Sequence, residues 1–194
     1  IMLMGNMSCT PSRIGAETAE IENKRESVME SENDRQSVIL TGEAKKVEGS
    51  VVISYELKNQ SQKAVLAWDL MIGGSGGNEV IDNDLAYVCF EEPNTARIVR
   101  AVLQLPKDKD VYMKEIPYAR SIEPGASVTG KITLALPLEE INPYYDPAAA
   151  ENEKEVDLNR IRLMIGWTEV RPGMIVTDTD VGGKKVKMIR GAWG

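Results

Sequence analysis

Apolar and polar residues alternate through most of the chain after Ser37, and this alternation predicts strands. The clearest run is SVVISYELKN, in which every second residue is apolar and most of the residues between are polar. A period of two with β-branched and aromatic residues is typical of a strand with one buried face. We expect that face to consist of Val51, Ile53, Tyr55 and Leu57.

Similar runs occur elsewhere in the sequence. They are SVILTGEAKK, LAYVCF, RIVRAVLQL, SVTGKITLALPL and LNRIRLMIGWTEV. In the run AVLAWDLMI, the alternation assigns the inner face to Leu66, Trp68, Leu70 and Ile72. Two shorter runs, MIVTD and KVKMI, flank a glycine-containing turn, DTDVGGK, and predict a terminal hairpin.

About eight strands without a long helix between them indicate a mainly antiparallel fold, because parallel neighbours need long crossover connections. One polar and one apolar face per strand fit two sheets that pack over a shared core. The sequence therefore predicts an all-β protein, an antiparallel two-sheet β-sandwich with Greek-key connections. A closed barrel is the alternative.

The order of these runs carries a family resemblance. A long alternating strand, the tryptophan-bearing VLAWDL and the later IEPGASVTGKITLALPL resemble immunoglobulin-like β-sandwich domains of bacterial envelope proteins and lipoproteins. In such domains a Pro-Gly turn commonly leads into a long strand, and Pro124-Gly125 predicts a type II turn here. The resemblance covers residues 37–170, is architectural, and implies no functional residues.

The first 36 residues differ in character from the rest. The opening IMLMGNMSCT has an apolar run before Cys9, so residues 1–9 are a candidate remnant of a lipoprotein signal with Cys9 as the acylated residue. Ser8 suits the position before that cysteine, whereas Met7 and Asn6 depart from the usual pattern. Residues 10–36 are polar and acidic, which predicts a flexible tether. Residues 37–194 are then the sandwich domain.

Composition excludes several chemistries. The net charge of −7 argues against binding to nucleic acid, whose phosphates need a basic surface. Histidine is absent, so histidine-dependent triads, dyads and zinc sites are impossible within this sequence. The sequence has two cysteines, and Cys89 lies in an apolar run where we expect a free, buried thiol.

Two groups of acidic residues suggest a metal site. Asp82 lies in DNDLA, and Asp178 and Asp180 lie in DTDVGG. Carboxylates two residues apart beside glycine or asparagine are a spacing that calcium loops favour, because hard oxygen ligands converge on one ion. Calcium is therefore the one candidate cofactor. Aspartate-rich turns at strand ends without any metal are the alternative.

The connection PLEEINPYYDPAAAENEKEVD, residues 137–157, is the most unusual part of the predicted domain. It is long for a loop between strands, and it carries Tyr144, Tyr145 and Asp146, which we predict to contact a partner. A pair of carboxylates such as Glu139 and Asp146 would also suit a carbohydrate hydrolase. A solvated loop whose tyrosines cover the end of the sandwich is the remaining possibility.

These observations favour a non-catalytic binding or structural module. We expect it in the bacterial cell envelope, in the periplasm or secreted, where its loops contact a protein or a glycan. Its only link to a membrane would be a lipid anchor at Cys9. The alternatives are a carboxylate-dependent carbohydrate hydrolase and a soluble, inhibitor-like cytoplasmic interaction module.

Overall fold

The computed structural model describes the backbone of residues 16–22 and, in full, residues 37–74, 79–91, 94–106, 118–144 and 160–190. Within these ranges there is no helix, and therefore none long and apolar enough to cross a bilayer. The strands that these ranges contain are β1 (Ala16–Glu22), β2 (Val38–Val47), β3 (Ser50–Asn59), β4 (Val65–Gly73), β5 (Val80–Asp82), β6 (Tyr87–Glu91), β7 (Thr95–Arg100), β8 (Tyr118–Ile122), β9 (Ser127–Ala135), β10 (Arg160–Glu169), β11 (Ile175–Val181) and β12 (Lys184–Arg190).

The strands form two sheets. The smaller sheet has the order β2-β3-β9, and the larger has the order β11-β12-β8-β4-β10-β7-β6, with β1 paired to β10 and β5 paired to β4. All the pairs are antiparallel except β7 with β10. The predicted all-β, mainly antiparallel, two-sheet architecture is therefore confirmed, and it resembles a sandwich.

A single apolar cluster lies between the sheets. It includes the four residues predicted as the inner face of β3, and these pack with side chains from β4, β7 and β10 of the larger sheet. Burying such residues from both sheets is the main source of stability in this arrangement. The predicted inner face of β3 is confirmed by residues such as Val51 and Ile53, and Leu163 and Ile165 of β10 face the same cluster.

The prediction for β4 is wrong. Val65 and Ala67 face the smaller sheet, whereas Leu66 and Trp68 pack on the opposite face of the larger sheet. The reason is that β4 is a central strand covered on both faces, so both of its alternating sets are mainly apolar. The set with the larger residues is then not the one that faces the smaller sheet.

Strand β1 lies in the segment that the sequence predicts to be a tether. It pairs with β10 from Arg160 to Gly166, whereas β4 pairs with β10 only from Gly166 to Glu169. The first half of β10 would otherwise present unpaired backbone groups on that side, and β1 satisfies them. The backbone groups of β10 that would otherwise be unpaired thus account for a strand in this polar sequence.

Both predicted turns are present. Gly125 has φ of 75°, and the N–H of Ala126 donates to the carbonyl of Glu123 at 3.0 Å, as in a type II turn. The terminal hairpin of β11 and β12 turns at Gly182 and Gly183, whose φ values of 58° and 79° favour glycine.

Asn59 fixes the corner at which the chain passes from β8 to β9. The side chain is fully buried, and its amide donates to the carbonyls of Ile122 and Lys63, each at 2.8 Å. Its Oδ1 accepts from the N–H and hydroxyl of Ser61 at 2.9 and 2.8 Å. One side chain therefore joins the end of β3 to the end of β8.

Replacing Asn59 by alanine should remove the side-chain donor to the buried carbonyl of Ile122 and the bonds to Lys63 and Ser61, and lower the free energy of unfolding by about 3 kcal/mol. Urea denaturation followed by circular dichroism measures the change. The exposed neighbour Gln60 is the matched control, and Gln60→Ala should change stability by less than about 0.5 kcal/mol. Equal effects of the two substitutions would show that Asn59 does not hold the corner.

Candidate functional site

The side chain of Tyr55 extends from the smaller sheet and contacts the larger one. It lies on β3, opposite Gly130 of β9, and is 4% exposed. A Cβ added at Gly130 would stand 2.1 Å from the Cζ of the tyrosine ring. The ring therefore lies over the glycine, because only a residue without a side chain leaves that space free.

Asp69 on β4 is the hydrogen-bond acceptor of this tyrosine and is fully buried. The Oη of Tyr55 donates to its Oδ2 at 3.1 Å. Arg120 on β8 donates from Nε to Oδ1 at 2.9 Å and from Nη2 to Oδ2, so the ion pair is bidentate. A buried carboxylate is stable only with such a partner, because its desolvation is otherwise uncompensated.

Arg100 at the end of β7 lies beside this pair and is 2% exposed. Its Nε donates to the carbonyl of Leu85 at 3.0 Å, and its Nη2 donates to the carbonyl of Asn83. Its Nη1 donates to the carbonyl of Asp69 at 3.0 Å and to the Oη of Tyr55 at 3.2 Å. The guanidinium thus anchors the loop between β5 and β6 against the larger sheet.

The network of these four side chains carries an excess positive charge. Two guanidinium groups face one carboxylate, and the phenol of Tyr55 is neutral at pH 7. Burial, and then the charge of Asp69, raises its pKa from 10 to about 12. Among the described residues, one N–H of Arg120 Nη1 and one N–H of Arg100 Nη2 have no acceptor. Donors and charge of this kind are what an anionic ligand requires.

The network forms the floor of an open cleft of about 480 Å³. The cleft lies beside β9, where the carbonyl of Thr129 accepts from Arg120 at 3.2 Å, and the N–H of Thr133 donates to Asp84 Oδ1 at 3.1 Å. Lys131, between these two threonines, is exposed and adds a third cation to the walls. We take this cleft as the candidate site.

The predicted calcium ligands each have a separate role in the fold. Asp82 Oδ1 accepts from the N–H of Asp84 at 2.8 Å, and Asp180 Oδ1 accepts from the N–H of Gly183 at 2.9 Å. Asp178 pairs with the amine of Lys187 at 2.7 Å. Over the part of the chain that the structure describes, no three acidic or cysteine residues group around a possible ion position. Calcium binding stays a prediction.

The predicted partner-binding loop is described only in part. Tyr144 is half-buried against the apolar cluster that contains Met71 and Val99, and its N–H donates to Asn142 Oδ1 at 3.0 Å. Tyr145 and Asp146 lie outside the described residues. Glu139, one carboxylate of the predicted hydrolase pair, is exposed. The other carboxylate of that pair is Asp146, so the structure does not describe the pair as a whole.

The expectation of a free thiol at Cys89 is wrong. Cys89 on β6 is 2% exposed and is disulfide-bonded. The apolar run around it indicates burial correctly, but burial alone does not distinguish a thiol from a disulfide. Cys9, the predicted lipidation site, lies outside the described residues.

The three charged members of the network were not predicted from the sequence. Asp69 follows Val65 and Ala67 at alternate positions, and Arg100 follows Ala96 and Ile98 in the same way. A charge at an inward position of an otherwise apolar strand is a signal of a buried ion pair or a site. Arg120 gives no such signal in its local sequence.

Comparison with protein-family models, curated proteins and solved structures finds no match to this chain. The chemistry of the cleft is therefore the basis for inferring a function.

The raised pKa of Tyr55 predicts a loss of stability in alkali. The unfolded chain releases this proton near pH 10, whereas the folded protein keeps it to about pH 12. The contribution is complete below pH 10 and falls as pH rises through 12, by about 2–3 kcal/mol in total. In urea denaturation at pH 9 to 12, Tyr55→Phe should lose less stability than the parent by that amount. Tyr118→Phe, which removes another buried phenol, is the control, and parallel pH profiles for all three proteins would contradict the assignment.

Proposed function

We propose that this protein is a non-catalytic binding module of the immunoglobulin-like, bacterial envelope type, and that its cleft binds an acidic group of a protein or a glycan. The observation that carries the proposal is the net positive network of Arg100, Arg120, Asp69 and Tyr55, in which each arginine retains one N–H without an acceptor among the described residues.

The protonation states of the cleft support binding rather than catalysis. A phenol with a pKa of about 12 is a poor base at neutral pH, and the carboxylate of Asp69 is already held by Arg120. What remains available is a set of rigid donors. Preorganised donors of this kind lower the entropy cost of holding a ligand.

The disulfide at Cys89 supports a location outside the bacterial cytoplasm, because disulfides persist in oxidising compartments. It also bears on the proposed lipid anchor. Cys9 is the sequence's only other cysteine, and a sulfur that carries a thioether-linked lipid has no thiol left for a disulfide. Acylation of Cys9 and a disulfide at Cys9 therefore exclude each other.

Binding of acidic probes tests the function directly. Oligogalacturonate and polyglutamate should bind, uncharged oligosaccharides of the same length should not, and the affinity should fall as salt rises. Lys131→Gln removes an exposed cation of the cleft and should weaken binding by about threefold. Lys46→Gln, an exposed lysine of β2, is the matched control. Equal binding of acidic and neutral probes, measured by calorimetry, would refute the proposal.

The two fates of Cys9 are separated by mass spectrometry of the full reading frame expressed in a bacterial host. Under non-reducing conditions, an anchored protein should give a mature N-terminal peptide that starts at Cys9 and is heavier by a diacylglyceryl group. A disulfide-linked pair of peptides that contains Cys9 and Cys89 and separates on reduction would instead show that Cys9 carries no lipid. It would still support a location in an oxidising compartment.

A further inference from the structure

Strand β9 is an edge of the smaller sheet, and its free side forms one wall of the cleft. Thr129 and Thr133 use their outward backbone groups in hydrogen bonds to Arg120 and Asp84, which belong to the opposite wall. Because residues two apart in a strand direct their N–H and C=O to the same side, the backbone of Lys131 also points outward.

On this edge, Thr129 uses its C=O and Thr133 uses its N–H in these bonds, whereas Lys131 between them uses neither group. The N–H and C=O of Lys131 both lack a partner among the residues that the structure describes, whereas each neighbouring threonine has one of its two outward groups bound to a side chain. An unpaired N–H and C=O on one residue are the two groups that an added antiparallel strand uses. The spare N–H groups of Arg100 and Arg120 lie in the same cleft.

From this juxtaposition we propose that the ligand is an extended acidic peptide, which pairs with the backbone of Lys131 and places a carboxylate against the two arginines. The inference rests on the proposed function and narrows its ligand to a protein segment. A peptide supplies main-chain donors and acceptors at the spacing of a strand together with acidic side chains, whereas an acidic glycan supplies charge and hydroxyl groups but no amide groups at that spacing.

Charge complementarity disfavours a second copy of this chain as the occupant. Two β9 edges paired antiparallel about Lys131 would bring this lysine next to its own copy, with Arg120 of each molecule close by. Like charges directly opposite each other destabilise a strand pair. An acidic strand has the opposite effect.

The test uses the full chain and a heptapeptide of alternating valine and glutamate, acetylated and amidated at its ends. The same peptide with one N-methylated central amide keeps the side chains and the charge but loses a main-chain donor. We expect it to bind about tenfold more weakly than the unmodified peptide in fluorescence titrations. Amide hydrogen exchange of Lys131, followed by NMR, should slow when the unmodified peptide is bound.

Two variants separate charge from backbone pairing. Lys131→Gln removes only the cation, whereas Lys131→Pro also removes the outward N–H, at an edge position where proline is tolerated. The proline variant should bind the unmodified peptide about tenfold more weakly than the glutamine variant. If melting shows that the proline variant does not fold, the N-methylated peptide still decides the question.

The outcomes distinguish the two proposals. If oligogalacturonate binds but N-methylation and Lys131→Pro have no extra effect, the cleft recognises acids without strand pairing, and this inference fails while the proposed function stands. If neither the peptides nor oligogalacturonate bind, both fail. A dimer that Lys131→Pro dissociates in sedimentation would show that the edge pairs with its own copy, which also overturns the inference.

Discussion

The buried carboxylate of Asp69 is the charge on which the site and the junction of the two sheets both depend. Arg120 neutralises it from within the larger sheet, and Tyr55 donates to it from the smaller one. Removing one partner of such a pair leaves an uncompensated buried charge and typically costs about 3–5 kcal/mol. The arginine donors of the cleft are thus held in place by interactions on which the fold depends.

The sequence predicted strands well where only one face of the strand is buried. In β3, one face meets the core and the other meets water, so the alternation is visible in residues such as Val51 and Lys58. In β4 both faces are covered, and the alternation no longer separates them. Strand β1 could not be predicted, because its partner β10 lies at the far end of the chain and its own residues are mostly polar.

The candidate site was harder to predict than the fold. Tyr55, Asp69, Arg100 and Arg120 come from four strands, and only the pairing of those strands brings the side chains together. Sequence periodicity says which way a residue points but not which residue it meets. The binding and metal sites were instead predicted in loops, because neighbouring tyrosines and closely spaced aspartates are recognisable in the local sequence. The charges within the apolar runs of β4 and β7 were the one local sign of the cleft.

The place of β1 beside β10 has a consequence for biosynthesis. A chain that leaves the ribosome from its N-terminus makes β1 well before β10, the strand with which β1 pairs. Pairings of such long sequence separation are slow to form, since the intervening chain must first be closed into a loop. Until then β1 lacks its partner and its backbone groups are open to other chains, so a chaperone or a dilute nascent pool would favour correct assembly.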